Sequence, residues 1–267
     1  MHIVQIIPTL NFGGAERFVV DLINNSDPTI KFSIITFFNE LPLAKEIRRA
    51  DVEIKVVLKK GKISWGYFSA LKKVLRELKP VVVHTHLFGG DFWGRVAARQ
   101  LGLPVVTTEH NLNIGESWLK HFIKRLLRKY SQVYVAPSRA IAEYLRHHYQ
   151  VKQEIKIIRY GLEIKNYLAI PQAKLLAPFK LLMIGRLTKQ KGQEIAIRAL
   201  TKLKKYNWQL EIIGEGEDRR KIVKLINNLK LTDRIKILPF THEIVEAFRR
   251  NQIFLIPSRW EGLGIVV

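Results

Sequence analysis

The sequence predicts an α/β chain of two successive units, each built on a parallel sheet, and three observations carry that expectation. Short runs rich in Val and Ile alternate with longer amphipathic stretches along most of the 267 residues. An aperiodic, proline-containing stretch interrupts the alternation at 163–178, after which it restarts. Hydrophobic residues make up 47% of the chain, enough for a substantial core.

The elements follow in order. The first strand is expected at 2–7, with further strands at 32–36, 53–57, 81–85, 104–108, 132–136 and 155–158. Each is a short apolar run of the kind buried on both faces of a parallel sheet. Between them, 15–24 places Phe18, Val19, Leu22 and Ile23 on one helical face, and 67–78 does the same with Phe68, Leu71, Val74, Leu75 and Leu78. Residues 163–178 carry Pro171 and Pro178 with weak periodicity and are expected to link the units. Strands then recur at 180–185, 208–213, 234–238 and 252–256, with helices near 192–205, 217–229 and 242–249. The expected division is 1–165, a linker at 166–178, and 179–267. Doubly wound domains have about six strands, and the second unit shows four. Its last residues, Glu261 to Val267, look like a loop feeding a helix only about one turn long, an unfavourable place to stop. An incomplete second domain is therefore expected.

Charge narrows partners more than fold. The chain has 45 Lys+Arg against 23 Asp+Glu, a net charge of +22 and a pI near 10.2. That suits a polyanion: nucleic acid, an anionic membrane or a phosphorylated small molecule. The excess is spread evenly, with 26 basic and 14 acidic residues in 1–170 and 19 and 9 in 171–267. No nucleic-acid recognition module is recognisable, so nucleic acid is not an expected partner. With no cysteine there is neither a disulfide framework nor a thiolate metal site, which fits the cytoplasm. No run of 18 apolar residues exists, and Met1 to Pro8 lacks the basic segment and cleavage site of a secretion signal.

Several motifs fall where strands end, the edge at which open α/β sheets bind ligands. Gly13 and Gly14 join the first strand to the first helix, either as a tight turn or as an anion approach to a helix N-terminus. This is not the glycine pattern of nicotinamide binding. His84-Thr85-His86 and Thr107-Thr108-Glu109-His110 end two other strands. His110 is expected to face substrate; His84 is equally well a strand-end histidine bonded to backbone. Metal ligation by the His-x-His pair has no supporting carboxylates or cysteines. In the second unit, Gly185-Arg186-Leu187 with Lys191-Gly192 puts two cations before a helix, suited to a diphosphate. Gly214-Glu215-Gly216 is another glycine turn, and Glu261 begins a carboxylate–glycine run ahead of a helix start.

The order and spacing of these elements, together with Ala136-Pro137-Ser138, Tyr160-Gly161-Leu162 and the segment from Pro257 through Val266, resemble glycosyltransferase family 4, the retaining nucleotide-sugar transferases of GT-B fold. The resemblance covers essentially the whole chain. It implies two facing Rossmann-like domains, the second incomplete here, with the first as acceptor domain and the second as nucleotide-sugar donor domain. Arg186 and Lys191 would neutralise the leaving diphosphate, a large electrostatic contribution to catalysis. His110 would contact the transferred sugar or orient the acceptor, and Glu261 would hold sugar hydroxyls. Gly13, Gly14, Gly185, Phe240, Gly262, Leu263, Gly264 and Ile265 would complete the donor site. The donor would be a UDP- or GDP-sugar, with no metal because the cations do its work, and the acceptor a lipid-linked or polysaccharide glycan of the cell envelope. The family's second glutamate, eight residues after Glu261, would fall at position 269, beyond Val267. A truncated, non-catalytic remnant is the alternative.

Two basic, aromatic segments suit an anionic bilayer surface. Ser117 to Tyr130 has five Lys/Arg and no acid, with apolar residues at 118, 119, 122, 123, 126, 127 and 130 on one helical face. A core helix packing that face on the sheet is the favoured reading there. The segment 58–68, whose aromatics follow no stripe, is the stronger membrane candidate. The implied location is peripheral, on the inner face of the plasma membrane.

Overall fold

The computed structural model describes residues 1–59, 61, 65–161, 165–168, 170, 174–241 and 243–264. The chain divides into two units, Met1–Leu162 and Glu163–Val267. Ile265, Leu162 and residues 169 and 171–173 of the expected linker lie outside the described residues.

Unit 1 runs β1 (His2–Ile6), α1 (Gly14–Asn24), β2 (Lys31–Thr36), β3 (Glu53–Val56), α2 (Trp65–Leu78), β4 (Val82–His86), α3 (Leu87–Gln100), β5 (Val105–Thr108), α4 (Trp118–Leu127), β6 (Val133–Ala136), α5 (Arg139–His147) and β7 (Glu154–Ile157). The strands form one parallel sheet in the order β3-β2-β1-β4-β5-β6-β7. The order reverses between β1 and β4, so the crevice for a ligand opens at their carboxyl ends. Consecutive residues of each inner strand serve opposite faces. Ile6 and Ile35 pack with Phe37, Leu71, Leu75 and Trp93 on one side. Ile7 and Ile34 pack with Val19, Val20, Ile23 and Leu43 on the other. Both sheet edges read alike, Glu53-Ile54-Lys55 on β3 and Glu154-Ile155-Lys156 on β7, with the Lys–Glu pairs at 2.5 and 3.7 Å. Charged side chains discourage pairing at an open edge.

Two helices of unit 1 go beyond the expected set. α3 lacks an amphipathic stripe because Gly90, Asp91, Trp93, Gly94, Arg95, Ala97 and Ala98 are all buried, so no polar face marks it. α5 starts at Ser138, whose hydroxyl accepts from the Ile141 N–H. That cap, followed by buried Ile141, Ala142 and Leu145, is a signal present in the sequence.

Unit 2 runs α6 (Lys165–Leu168), β8 (Phe179–Ile184), α7 (Gln193–Thr201), β9 (Trp208–Ile213), α8 (Arg219–Asn228), β10 (Ile235–Leu238), α9 (Ile244–Arg250) and β11 (Ile253–Phe254). Its parallel sheet has the order β10-β9-β8-β11, with the reversal at β8 and β11. The expected linker therefore contains a helical turn, and the strand expected at 252–256 shortens to two residues. Leu181, Met183, Trp208, Leu210 and Ile212 pack against Ile197, Leu200, Ile222 and Ile226 from α7 and α8.

Candidate functional site

In unit 1 the polar residues gather at the β1/β4 reversal. Gln5 of β1 stands in register with His84 of β4. The Gln5 Oε1 lies 2.7 Å from His86 Nε2, His86 Nδ1 lies 2.9 Å from His110 Nε2, and His110 Nδ1 lies 2.5 Å from the Tyr160 hydroxyl. Both ring nitrogens of His110 are thus engaged inside the unit, where the sequence reading gives the residue a substrate-facing role. Phe18 of α1 packs beside the chain, its ring centroid 4.5 Å from Tyr160 and 5.5 Å from His110. His84 meets a side chain rather than backbone, its Nε2 lying 2.7 Å from Thr108 Oγ1. Burial, reinforced by His110, lowers His84 to about 3. Burial, reinforced by Lys124, lowers His110 to about 3. His86 falls well below its ordinary value for the same first reason, helped by its two neighbouring imidazoles. All three rings are neutral at pH 7. Among the described residues no group of three His, Cys, Asp or Glu side chains could hold a metal ion.

The loop after β1 places Gly13 at the N-cap of α1 without a side-chain cap. The Glu16 carboxylate folds back over this first turn so closely that a Cβ on Gly13 would collide with it. The carboxylate thereby sits at the positive end of the helix, where an anion would otherwise be favoured.

Beneath β5 lies a buried ionic cluster. Lys124 of α4 donates to Glu109 at 2.9 Å and stands 3.7 Å from Glu116, with Lys124 and Glu109 nearly inaccessible. Asn113 Nδ2 donates to Glu109 Oε1, and the Tyr149 hydroxyl donates to Glu116. Lys124 therefore fixes the rotation of α4, and of the apolar face of 117–130 expected to pack inward only Leu127 is buried, with Ile123 and Tyr130 half-buried. The charged side chain turns inward, while Trp118, Leu119, Phe122 and Leu126 stand 79%, 51%, 56% and 61% exposed. Of the segment 58–68, Lys60 and 62–64 lie outside the described residues; Leu58 is exposed, while Tyr67 and Phe68 are buried in the core against Trp93.

In unit 2 Gly185, Arg186, Lys191 and residues 261–264 lie in the loops that follow β8 and β11, whereas Phe240 follows β10 at the far edge of the sheet. A pocket is lined by Met183, Lys191, Gln193, Phe254, Ser258 and Glu261, among others, and reaches Gly264. Two loops form it as one platform. The Arg259 N–H donates to the Gln190 carbonyl at 2.8 Å, and Gln190 Nε2 donates to the Trp260 carbonyl at 3.1 Å. Gly192, at φ +67°, is left-handed, and a Cβ there would strike the Pro257 carbonyl, so only glycine lets the loops meet. Lys191 lies across Gly185 and reaches Glu261 at 2.6 Å. The two residues with separate expected roles are paired with each other. Arg186 is exposed. Its backbone carbonyl accepts from Gln193 Nε2 at 2.9 Å, and Gln193 is a site residue the sequence reading did not single out. Phe240 is 39% exposed.

The profile of glycosyltransferase family 4 matches residues 12–165, more than half the chain. The chain belongs to glycosyltransferase family 4. Residues 169–267 match glycosyl transferases group 1. A relative from Campylobacter jejuni, GalNAc-α-(1→4)-GalNAc-α-(1→3)-diNAcBac-PP-undecaprenol α-1,4-N-acetyl-D-galactosaminyltransferase, is 27% identical over 100% of this chain and 76% of its own length. The Escherichia coli UDP-Gal:α-D-GlcNAc-diphosphoundecaprenol α-1,3-galactosyltransferase is 27% identical over 74% of this chain, which spans 57% of it. Among solved structures, Anabaena Alr3699/HepE in complex with UDP and glucose superposes with a TM-score of 0.83 at 18% identity, covering 100% of this chain and 77% of that one. The fold of this family-4 chain is thus GT-B, two parallel Rossmann-like units in sequence.

Proposed function

We propose that this chain carries the donor-handling machinery of a retaining glycosyltransferase that moves a hexosyl-type sugar from a UDP- or GDP-sugar to a lipid-linked or polysaccharide acceptor in envelope biosynthesis. The observation that carries the reading is the convergence of Lys191, Glu261 and the Arg186 loop at the β8/β11 reversal. The relatives from Campylobacter and Escherichia act, by name, on undecaprenyl-diphosphate-linked sugars, which supports a lipid-linked acceptor. As the bond from sugar to diphosphate breaks, negative charge grows on the leaving phosphate. Lys191 as a point charge and Arg186 as a fork of donors stabilise it, in place of a metal ion. A diphosphate displaces Glu261 from Lys191, and the released carboxylate turns to the sugar hydroxyls. Unit 1 serves the acceptor.

The exposed apolar face of α4, flanked by Lys120, Arg125 and Lys129, is read as a peripheral contact with an anionic bilayer. No helix among the described residues is long and apolar enough to cross a membrane.

Calorimetry with UDP and GDP tests the donor reading. Micromolar binding by the chain and at least tenfold weaker binding by Arg186→Ala and Lys191→Ala are expected. Unchanged affinity in both variants refutes the site. Absence of binding to either nucleotide supports a remnant.

A further inference from the structure

Hydrogen-bond direction along Gln5, His86, His110 and Tyr160 follows from which atom of the buried Gln5 amide faces His86, here Oε1. Gln5 and His86 have no exposed surface, and Gln5 Oε1 can only accept. His86 Nε2 therefore carries a proton and its Nδ1 accepts. His110 Nε2 then carries the next proton and its Nδ1 accepts from the Tyr160 hydroxyl. A neutral imidazole donates once and accepts once, so each link dictates the next. His110 and Tyr160 are the half-buried members at the outer end, and Phe18 holds the Tyr160 ring.

We propose that Tyr160 is a recognition residue whose phenolic oxygen, its own proton committed to His110 Nδ1, accepts a hydrogen bond from a saccharide hydroxyl, with Gln5, His86 and His110 as positioning residues behind it. The proposal rests on the glycosyltransferase reading. An O–H already donating to an imidazole is polarised, and its oxygen becomes a better acceptor. The relay orients and does not act as a base, because it ends in an amide that takes up no proton. His110 has no nitrogen left to offer.

The Gln5 Nε2 is buried without a hydrogen-bond partner. An amide turned over would put that N–H on His86, reverse every link and make Tyr160 a donor. Long-range 1H–15N spectra of the 15N-labelled full chain separate the two orders. Nε2–H tautomers at both His86 and His110 are expected, and Nδ1–H tautomers at both overturn the proposal. In Tyr160→Phe the Nδ1 resonance of His110 moves while His86 keeps its tautomer; an unmoved His110 resonance also overturns it. UDP, UDP-glucose and octyl glucoside are then titrated against both proteins. Tyr160→Phe weakens UDP-glucose about fivefold, the worth of one neutral hydrogen bond, if the hydroxyl is the donor's. It weakens octyl glucoside by that factor if the hydroxyl is the acceptor's. Affinity for UDP stays unchanged in either case. Equal saccharide affinities in the two proteins, or no gain from the saccharide over UDP, overturn the proposal. Failure of UDP itself to bind is separate and overturns the glycosyltransferase reading.

Discussion

Replacing Lys124 by Met removes the one cation from between Glu109 and Glu116 while nearly preserving volume. The attraction across 2.9 Å is about 6 kcal/mol at an effective dielectric of about 20, offset by several kcal/mol per ion of desolvation. The pair's net contribution is therefore small, but losing one partner is not: it leaves buried carboxylates uncompensated. Loss of about 3–5 kcal/mol from unit 1 is expected. Adding Glu109→Gln removes one of those carboxylates, so the double variant recovers part of the loss. Lys120→Met, on the exposed side of α4, changes stability by under about 0.5 kcal/mol. Hydrogen exchange across a urea series, followed on peptides from β5 and β6, reads unit 1 apart from unit 2. A loss under about 1 kcal/mol for Lys124→Met, or a double variant as unstable as the two single losses added together, refutes the reasoning.

Acid should weaken unit 1 first. Its buried histidines bind fewer protons folded than unfolded, so their contribution is complete above pH ~6.5 and declines as pH falls toward their folded values of about 3. By pH 4.5 the loss reaches about 2–3 kcal/mol per histidine, and an unchanged urea midpoint for unit 1 between pH 7 and 5 contradicts this. Gly192→Ala separates the two donor loops, costing about 1–2 kcal/mol for the left-handed backbone alone and more for the clash; calorimetry should show UDP binding lost while β8 and β9 remain protected. Ser138→Ala removes the α5 cap for about 1 kcal/mol, measured by urea unfolding. Phe122→Asp on the exposed face of α4 should abolish co-sedimentation with phosphatidylglycerol vesicles at low salt and leave stability within about 0.5 kcal/mol. Equal sedimentation with neutral vesicles would contradict the charge-assisted reading.

Strand periodicity made the parallel sheets legible because their inner strands are apolar on both faces, as at Ile34 and Ile35. It missed α3, where Gly90 and Gly94 let the helix sink against β1 and β4 and no solvent face survives. The amphipathic pattern of 117–130 was visible but its orientation was not. Periodicity reports which residues share a face, and the inward turn of α4 was decided by a buried ion pair between residues fifteen positions apart. At the candidate site, Arg186, Lys191 and Glu261 stood out by type and position at strand ends. Gln5 did not, since a lone polar residue in an apolar strand carries no mark of its partner eighty-one positions away.

The Glu-Ile-Lys borders of the seven-stranded sheet bear on how the chain behaves in a crowded cell. A newly folded unit 1 offers no bare β-edge as a template for another copy, so strand-mediated aggregation is suppressed at both ends of the sheet. Self-association is then directed to the apolar surface of α4. Poor behaviour in concentrated solution should be cured by changing Trp118 and Phe122 and be insensitive to changes on β3 or β7, a contrast that static light scattering would reveal.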